Sequence, residues 1–374
     1  MSSDSKRRRL SSLASIKGIS SETLAKVVNL ANKFGIETST RKAIDKTYAD
    51  CYSEVAHSIE LPLNCGGKFL WEVSRLDRLV QLFCRDSQKF NHVMKLAAGR
   101  ANPLHLILYV DEVTPGNLLR PDHKRKFHAI YVSFVEIGQS VLCKEEIWLP
   151  LALLRSTIAS QVRGGMSNCM RLLLRSIFLQ PCRAFAVGFP VDLEGPTLIR
   201  VTFGHFIADE AAIKSTWSFK GASGLRPCLR CKNIVSARSN LAHGDDYLLD
   251  ITASDPSKFD PTDDQYIWKL FDDLHQRAAT STRRDFEILE RACGVTYNEH
   301  SLLGDVELRS FFWGPASSTT YDPMHNFLVN GTFNLEVHLL LSCCKQTLDL
   351  SFADINQYIE AAWCWPKSHC THKI

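Results

Sequence analysis

An apolar run that ends on an acid, Leu104 to Asp111, and passes at once into the turn signal Thr114-Pro-Gly-Asn117 constrains this chain more than any other feature. The run reads as a buried strand, and an acid at its end stands at the edge of a sheet. A second acid, Asp209, follows another apolar run, Leu198 to Ile207, and a third, Glu336, lies in the helical stretch Asn326 to Leu341. Acids on two strand ends and a late helix are far apart in sequence, yet an α/β sheet can gather them. Three carboxylates can hold two divalent cations over a phosphate, which is the layout a metal-dependent nuclease core needs.

The rest of the chain divides around this pattern. Residues 1–18, with Lys6-Arg-Arg-Arg9 in a Ser-rich stretch, read as a disordered basic tail. Residues 19–100 read as a helical region: Ser20-Ser-Glu22 supplies a cap, and helical spacing runs through 24–31, 41–59 and 70–96. Residues 101–217 carry strands at Leu104–Val110, His128–Glu136, Val141–Leu149 and Leu198–Ile207. Helices are expected there over Leu151–Phe178, interrupted at Gly164-Gly165, and over Glu210–Trp217. Residues 218–320 read as an insertion into this core, with a Cys-x-x-Cys pair, Asp/Pro/Ser-rich turns and a helix over Tyr266–Ala279. Residues 321–365 read as closing helices of the core and 366–374 as an irregular tail, where a truncated reading frame weighs equally with a designed end. Three strands, a helix, a strand and a helix in this order fit an RNase H-like mixed sheet with flanking helices, an α/β architecture.

Composition narrows the setting. Hydrophobic residues make up 45% and charged residues 22% of the chain, which suits a globular protein. The net charge of +4 is mild, but basic residues concentrate at Lys6–Arg9 and at Arg120–Lys126. Lys124, Arg125 and Lys126 of the second cluster are candidates for contact with a phosphate backbone. The first cluster suits nuclear import or nucleic-acid contact as well as a solvated tail. No apolar stretch approaches the roughly 18 residues of a membrane span, and no signal peptide opens the chain. Thirteen cysteines in that setting favour metal binding in a reducing compartment over a disulfide framework. A soluble intracellular protein, placed in the nucleus, is expected.

Each candidate residue has a competing structural role. Glu112 competes with Asp111, because a strand alternates faces and only one of the two can share a cleft with Asp209. Asp209 before Glu210-Ala-Ala is also an ordinary helix N-cap. Glu336 follows His325 by eleven residues, three helical turns, among Phe327, Leu328, Phe333, Leu335 and Leu339, where an acid needs a partner such as a metal ion. Cys228 and Cys231 have zinc-knuckle spacing but supply only half of a tetrahedral site. Asp322 and His325 are its natural completion, with His243 a rival fourth ligand; two buried free thiols are the alternative. Such a zinc would be structural.

The set resembles the DDE transposases of DNA transposons, particularly the CACTA and Plavaka-like groups. The resemblance lies in Tyr109-Val-Asp-Glu-Val-Thr-Pro-Gly-Asn117, Arg125 to Glu136, Gly164-Gly-Met-Ser167, Ala208-Asp-Glu-Ala211, Lys220 to Cys231 and Asp322-Pro-Met-His325, across residues 100–365. It implies an RNase H-like catalytic core with Asp111, Asp209 and Glu336 holding Mg²⁺ or Mn²⁺. It also implies a Zn²⁺-binding Cys-x-x-Cys…Asp-x-x-His pairing through the insertion, DNA as partner and a homo-oligomer. DNA cleavage and strand transfer is the activity that follows. A catalytically inactive remnant that binds DNA or protein is the alternative, and a repair nuclease on the same fold is a third.

Overall fold

The computed structural model describes residues 53–114, 125–180, 182–184, 186–228, 230–243, 245–311, 314–328, 332–351, 353, 354 and 357. The expected basic tail, the helices before residue 53, Lys124 and the 366–374 tail lie outside the described residues. A hairpin comes first: β1 (Ala56–Pro62) pairs antiparallel with β2 (Lys68–Ser74). This corrects the helical expectation for 56–59 and 70–74. Ile59 and Leu61, like Trp71 and Val73, are buried between exposed neighbours, so the working period is two, which short apolar runs can disguise as helical spacing. Helices α1 (Leu76–Asp86) and α2 (Gln88–Arg100) follow.

The central sheet is then built from β3 (Leu104–Val113), β4 (Phe127–Phe134) and β5 (Leu149–Arg155), an antiparallel meander. Helix α3 (Gly165–Phe178) and a small hairpin, β6 (Phe189–Asp192) with β7 (Pro196–Ile199), lead to β8 (Val201–Ala208), which lies parallel to β3. Helix α4 (Glu210–Trp217) starts directly afterwards. Two expectations are corrected here. The expected strand over 141–149 starts only at Leu149, because Cys143 to Glu146 are exposed and interrupt the run. The expected helix from Leu151 gives way to strand, Ala152 to Arg155 pairing with β4 and Leu151 sitting at a bulge, and only a four-residue helix, Ser156–Ala159, precedes α3.

Beyond α4 come two short strands, β9 (Ile234–Val235) and β10 (Leu249–Asp250), and helices α5 (Asp264–Ala278) and α6 (Arg283–Cys293). A last strand, β11 (Thr319–Tyr321), completes a seven-stranded mixed sheet of order β1-β2-β5-β4-β3-β8-β11. The 218–320 segment is tied into the first compact unit, which runs to Thr320. Arg175 of α3 donates to both oxygens of buried Asp305 at 2.9 Å, and Lys220 pairs with Glu290 at 3.0 Å. A second unit begins at Tyr321 and holds α7 (Thr332–Leu348).

One face of the sheet forms the core. Leu106, Leu108 and Val110 of β3 and Ile130 and Val132 of β4 are fully buried, each burial contributing about 1.5–3 kcal/mol. Phe206, level with Leu108 on the neighbouring strand, meets Trp217 of α4 edge to face at 5.9 Å. The opposite face is half-exposed at Tyr109, Tyr131, His205 and Ile207.

His57 on β1 predicts a pH-dependent stability. Both ring nitrogens are buried, and burial first, then the Arg75 charge, lowers its pKa against weaker opposing effects of Asp77, Glu72 and the Val73 backbone. The unfolded chain takes up a proton near the ordinary value of about 6.5, while the folded chain resists it. Stability is therefore unaffected above that pH and declines as pH falls below it, until the folded-state value is passed. Urea unfolding at pH 7.5 and 5.5 should show a smaller decline for His57→Leu than for the parent; equal declines would contradict this assignment.

Candidate functional site

The parallel pairing of β3 with β8 decides where the acids go. It runs from Leu104↔Val201 to Leu106↔Phe203, skips Gly204, and resumes from Ile107↔His205 to Val110↔Ala208. Asp111 and Asp209 each follow the last paired couple, so the continued register sets the two acids level, Asp111 two residues before the end of β3 and Asp209 just beyond β8. Without the extra residue Ala208 would be level with Asp111, and Asp209 would turn to the other face. Glycine is needed at this bulge because a Cβ there would meet the His105 Cβ at 2.8 Å and the Leu106 carbonyl oxygen at 3.1 Å. A lone glycine inside an apolar strand is the sequence signal for such a bulge.

Register also separates Asp111 from its competitor. Asp111 lies opposite Ala129, whereas Glu112 lies opposite His128 and projects from the other face. There Glu112 accepts hydrogen bonds from Lys126 Nζ at 2.8 Å and Ser156 Oγ at 2.7 Å. Burial alone would raise its carboxyl pKa, but the bonds from Lys126 and Ser156 outweigh that and hold it below the ordinary glutamate range. Glu112 is thus committed to a structural ion pair. Burial lowers the pKa of the His128 imidazole, against the opposing pull of Glu112, Asp209 and Asp111.

Asp209 is the N-cap of α4, the structural role weighed for it. It follows β8 directly, and its Oδ1 accepts the Ala212 backbone N–H at 2.6 Å. Asp111 is half-buried, with no hydrogen bond or ion pair to another described residue. Two half-exposed carboxylates, one fixed by a cap and one unengaged, offer the hard oxygen donors that a divalent cation takes.

Other expected residues are placed as follows. Glu336 is on α7 in the second unit and is exposed, as are Phe327, Leu328, Phe333, Leu335 and Leu339, so it is not embedded in an apolar face as expected. In the same unit Asp322 is buried, its Oδ2 2.7 Å from His325 Nδ1 and its Oδ1 accepting the Met324 N–H at 2.9 Å. Cys228 and Cys231 are half-buried and not in a disulfide. Burial first, then the neighbouring Cys228 sulfur, raises the Cys231 thiol pKa. Between them Arg230 donates to the carbonyl oxygens of Ala316 at 2.8 Å and Thr319 at 2.6 Å, which ties the Cys turn to the segment preceding Asp322. His243 is exposed in the loop after Asn240. Arg125 is exposed, and Lys126 is held by Glu112 on the face opposite Asp111.

Among the described residues no three His, Cys, Asp or Glu side chains are gathered closely enough to hold a metal ion, and no helix is long and apolar enough to cross a membrane. The chain matches no protein-family model and no curated protein.

Proposed function

We propose that this chain is a transposase-like DNA-cleaving protein of the DDE type, built on an RNase H-like sheet. The observation that carries the reading is the bulge at Gly204, which brings Asp111 and Asp209 level near the ends of adjacent parallel strands. The strand order supports it: an antiparallel meander β5-β4-β3, with β8 parallel to β3 on its free edge after a helical crossover. Asp111 and Asp209 would hold Mg²⁺ or Mn²⁺, with Glu336 as the third carboxylate. Bound cations supply positive charge that stabilises the attacking and leaving oxygens of an in-line displacement at phosphorus. The cap bond from Ala212 fixes the Asp209 carboxylate, and the ion pair with Lys126 keeps Glu112 out of the site. The test is nicking of supercoiled DNA by the full chain with Mn²⁺, compared with Asp209→Asn; equal nicking by both would refute the assignment.

The Cys228/Cys231 turn would hold a structural zinc, with Asp322 and His325 as its other ligands. The two neighbouring thiols fit half of such a site. Purified protein should contain one zinc per chain by elemental analysis, and Cys228→Ser should lose it and melt at lower temperature. Metal-free protein with the same melting temperature as the variant would leave two ordinary thiols.

A further inference from the structure

We propose that Arg155 contacts a backbone phosphate of a nucleic-acid strand lying across the open face of the sheet. This rests on the DNA-cleaving reading for the class of substrate. The register places the residue: Asp111 pairs with Ala129 and Ala129 with Leu153, while the next row on the same face runs Val113, Phe127, Arg155. Arg155 therefore shares the face of Asp111, two strands away and one row further on. Strand spacing and rise put the two backbones roughly 12 Å apart, a gap that a long arginine side chain and a phosphodiester can bridge.

Three observations favour this residue over the basic cluster named from the sequence. Arg155 is exposed, and its side chain has no hydrogen bond or ion pair to another described residue. Lys126, by contrast, is neutralised by Glu112 on the opposite face. Solvent reaches this face on both sides of the Asp111 row: Leu153, next to Arg155, is 56% exposed, and one row beyond Asp111 Tyr131 and Tyr109 are half-exposed with ring centroids 6.4 Å apart, while Ala129 between Asp111 and Leu153 is buried. Aromatic rings on an open face accept sugar and base surfaces, while the guanidinium fork matches a phosphate.

The test is binding of the full chain to a fluorescein-labelled oligonucleotide, single-stranded and duplex, by anisotropy over a salt series. Arg155→Ala should weaken binding several-fold and reduce the slope of log affinity against log salt by about 0.7–0.9. Arg155→Lys should keep the slope, and Arg284→Ala, which removes an exposed charge on α6, should match the parent. If Arg155→Ala keeps the parental affinity and slope, or if Arg284→Ala is equally impaired, the proposal is overturned. A parent that binds no oligonucleotide also overturns it. A parent that binds through Arg155 but never cuts upholds it while the cleavage reading fails, and a cutting parent indifferent to Arg155 does the reverse.

Discussion

Asp111→Asn is expected to abolish Mn²⁺-dependent nicking while leaving thermal stability close to that of the parent. The loss should reach roughly two to three orders of magnitude, the size seen when one preorganised electrostatic contact to a transition state is removed. Stability should hold because the Asp111 carboxylate makes no hydrogen bond or ion pair to another described residue. Glu112→Gln should behave in the opposite sense. It removes the ion pair with Lys126 and weakens the bond from Ser156, so it should cost stability, up to about 1 kcal/mol for a partly exposed pair, and leave cutting largely intact. Plasmid nicking beside urea unfolding for both variants separates the roles. If Glu112→Gln stops cutting and Asp111→Asn does not, the acids have been assigned to the wrong faces.

The second large effect is expected at Gly204→Val. A Cβ at this position would lie 2.8 Å from the His105 Cβ, which backbone-borne atoms cannot relieve by a rotamer change. If the bulge persists under strain, the cost should be about 1–3 kcal/mol, as for other overpacked sites. If β8 relieves the strain by slipping one residue, Ala208 becomes level with Asp111 and Asp209 turns away, so nicking should be lost beyond what stability explains. Gly204→Ala should show the same trend, attenuated. A Val variant that is as stable and as active as the parent would mean that the bulge does not set the acid pair.

What the sequence made legible was the existence of two apolar strands leading to Asp111 and Asp209, though β3 runs on to Val113 and Leu198–Ile199 belong to β7, together with α4, whose bounds match the expectation. These segments are governed by local pattern: a continuous apolar run for a buried central strand, and an acid cap before a helix. The β1–β2 hairpin was not legible, because each strand alternates over only two buried positions, Ile59 and Leu61 or Trp71 and Val73, too few to set a period without the pairing. Strand β5 was misread for a similar reason: Leu149 to Leu154 is apolar enough for a helix, and its partner β4 lies elsewhere in the chain. At the site, the choice between Asp111 and Glu112 was open in sequence because it depends on register, which a single residue, Gly204, sets through a non-local contact with His105. Lys126 looked like a phosphate ligand because composition cannot reveal that Glu112 already holds it.

The central claim is that Asp111 and Asp209 act as one cation site. The most direct measurement is Mn²⁺ binding to the full chain, followed by electron paramagnetic resonance of the free ion. The parent should take up Mn²⁺, Asp111→Asn and Asp209→Asn should each lose most of that affinity, and the double variant should be no worse than the weaker single one, since the two carboxylates share one ion. Binding that is unchanged in either single variant, or losses that simply add, would mean that the two strand ends do not form a common site.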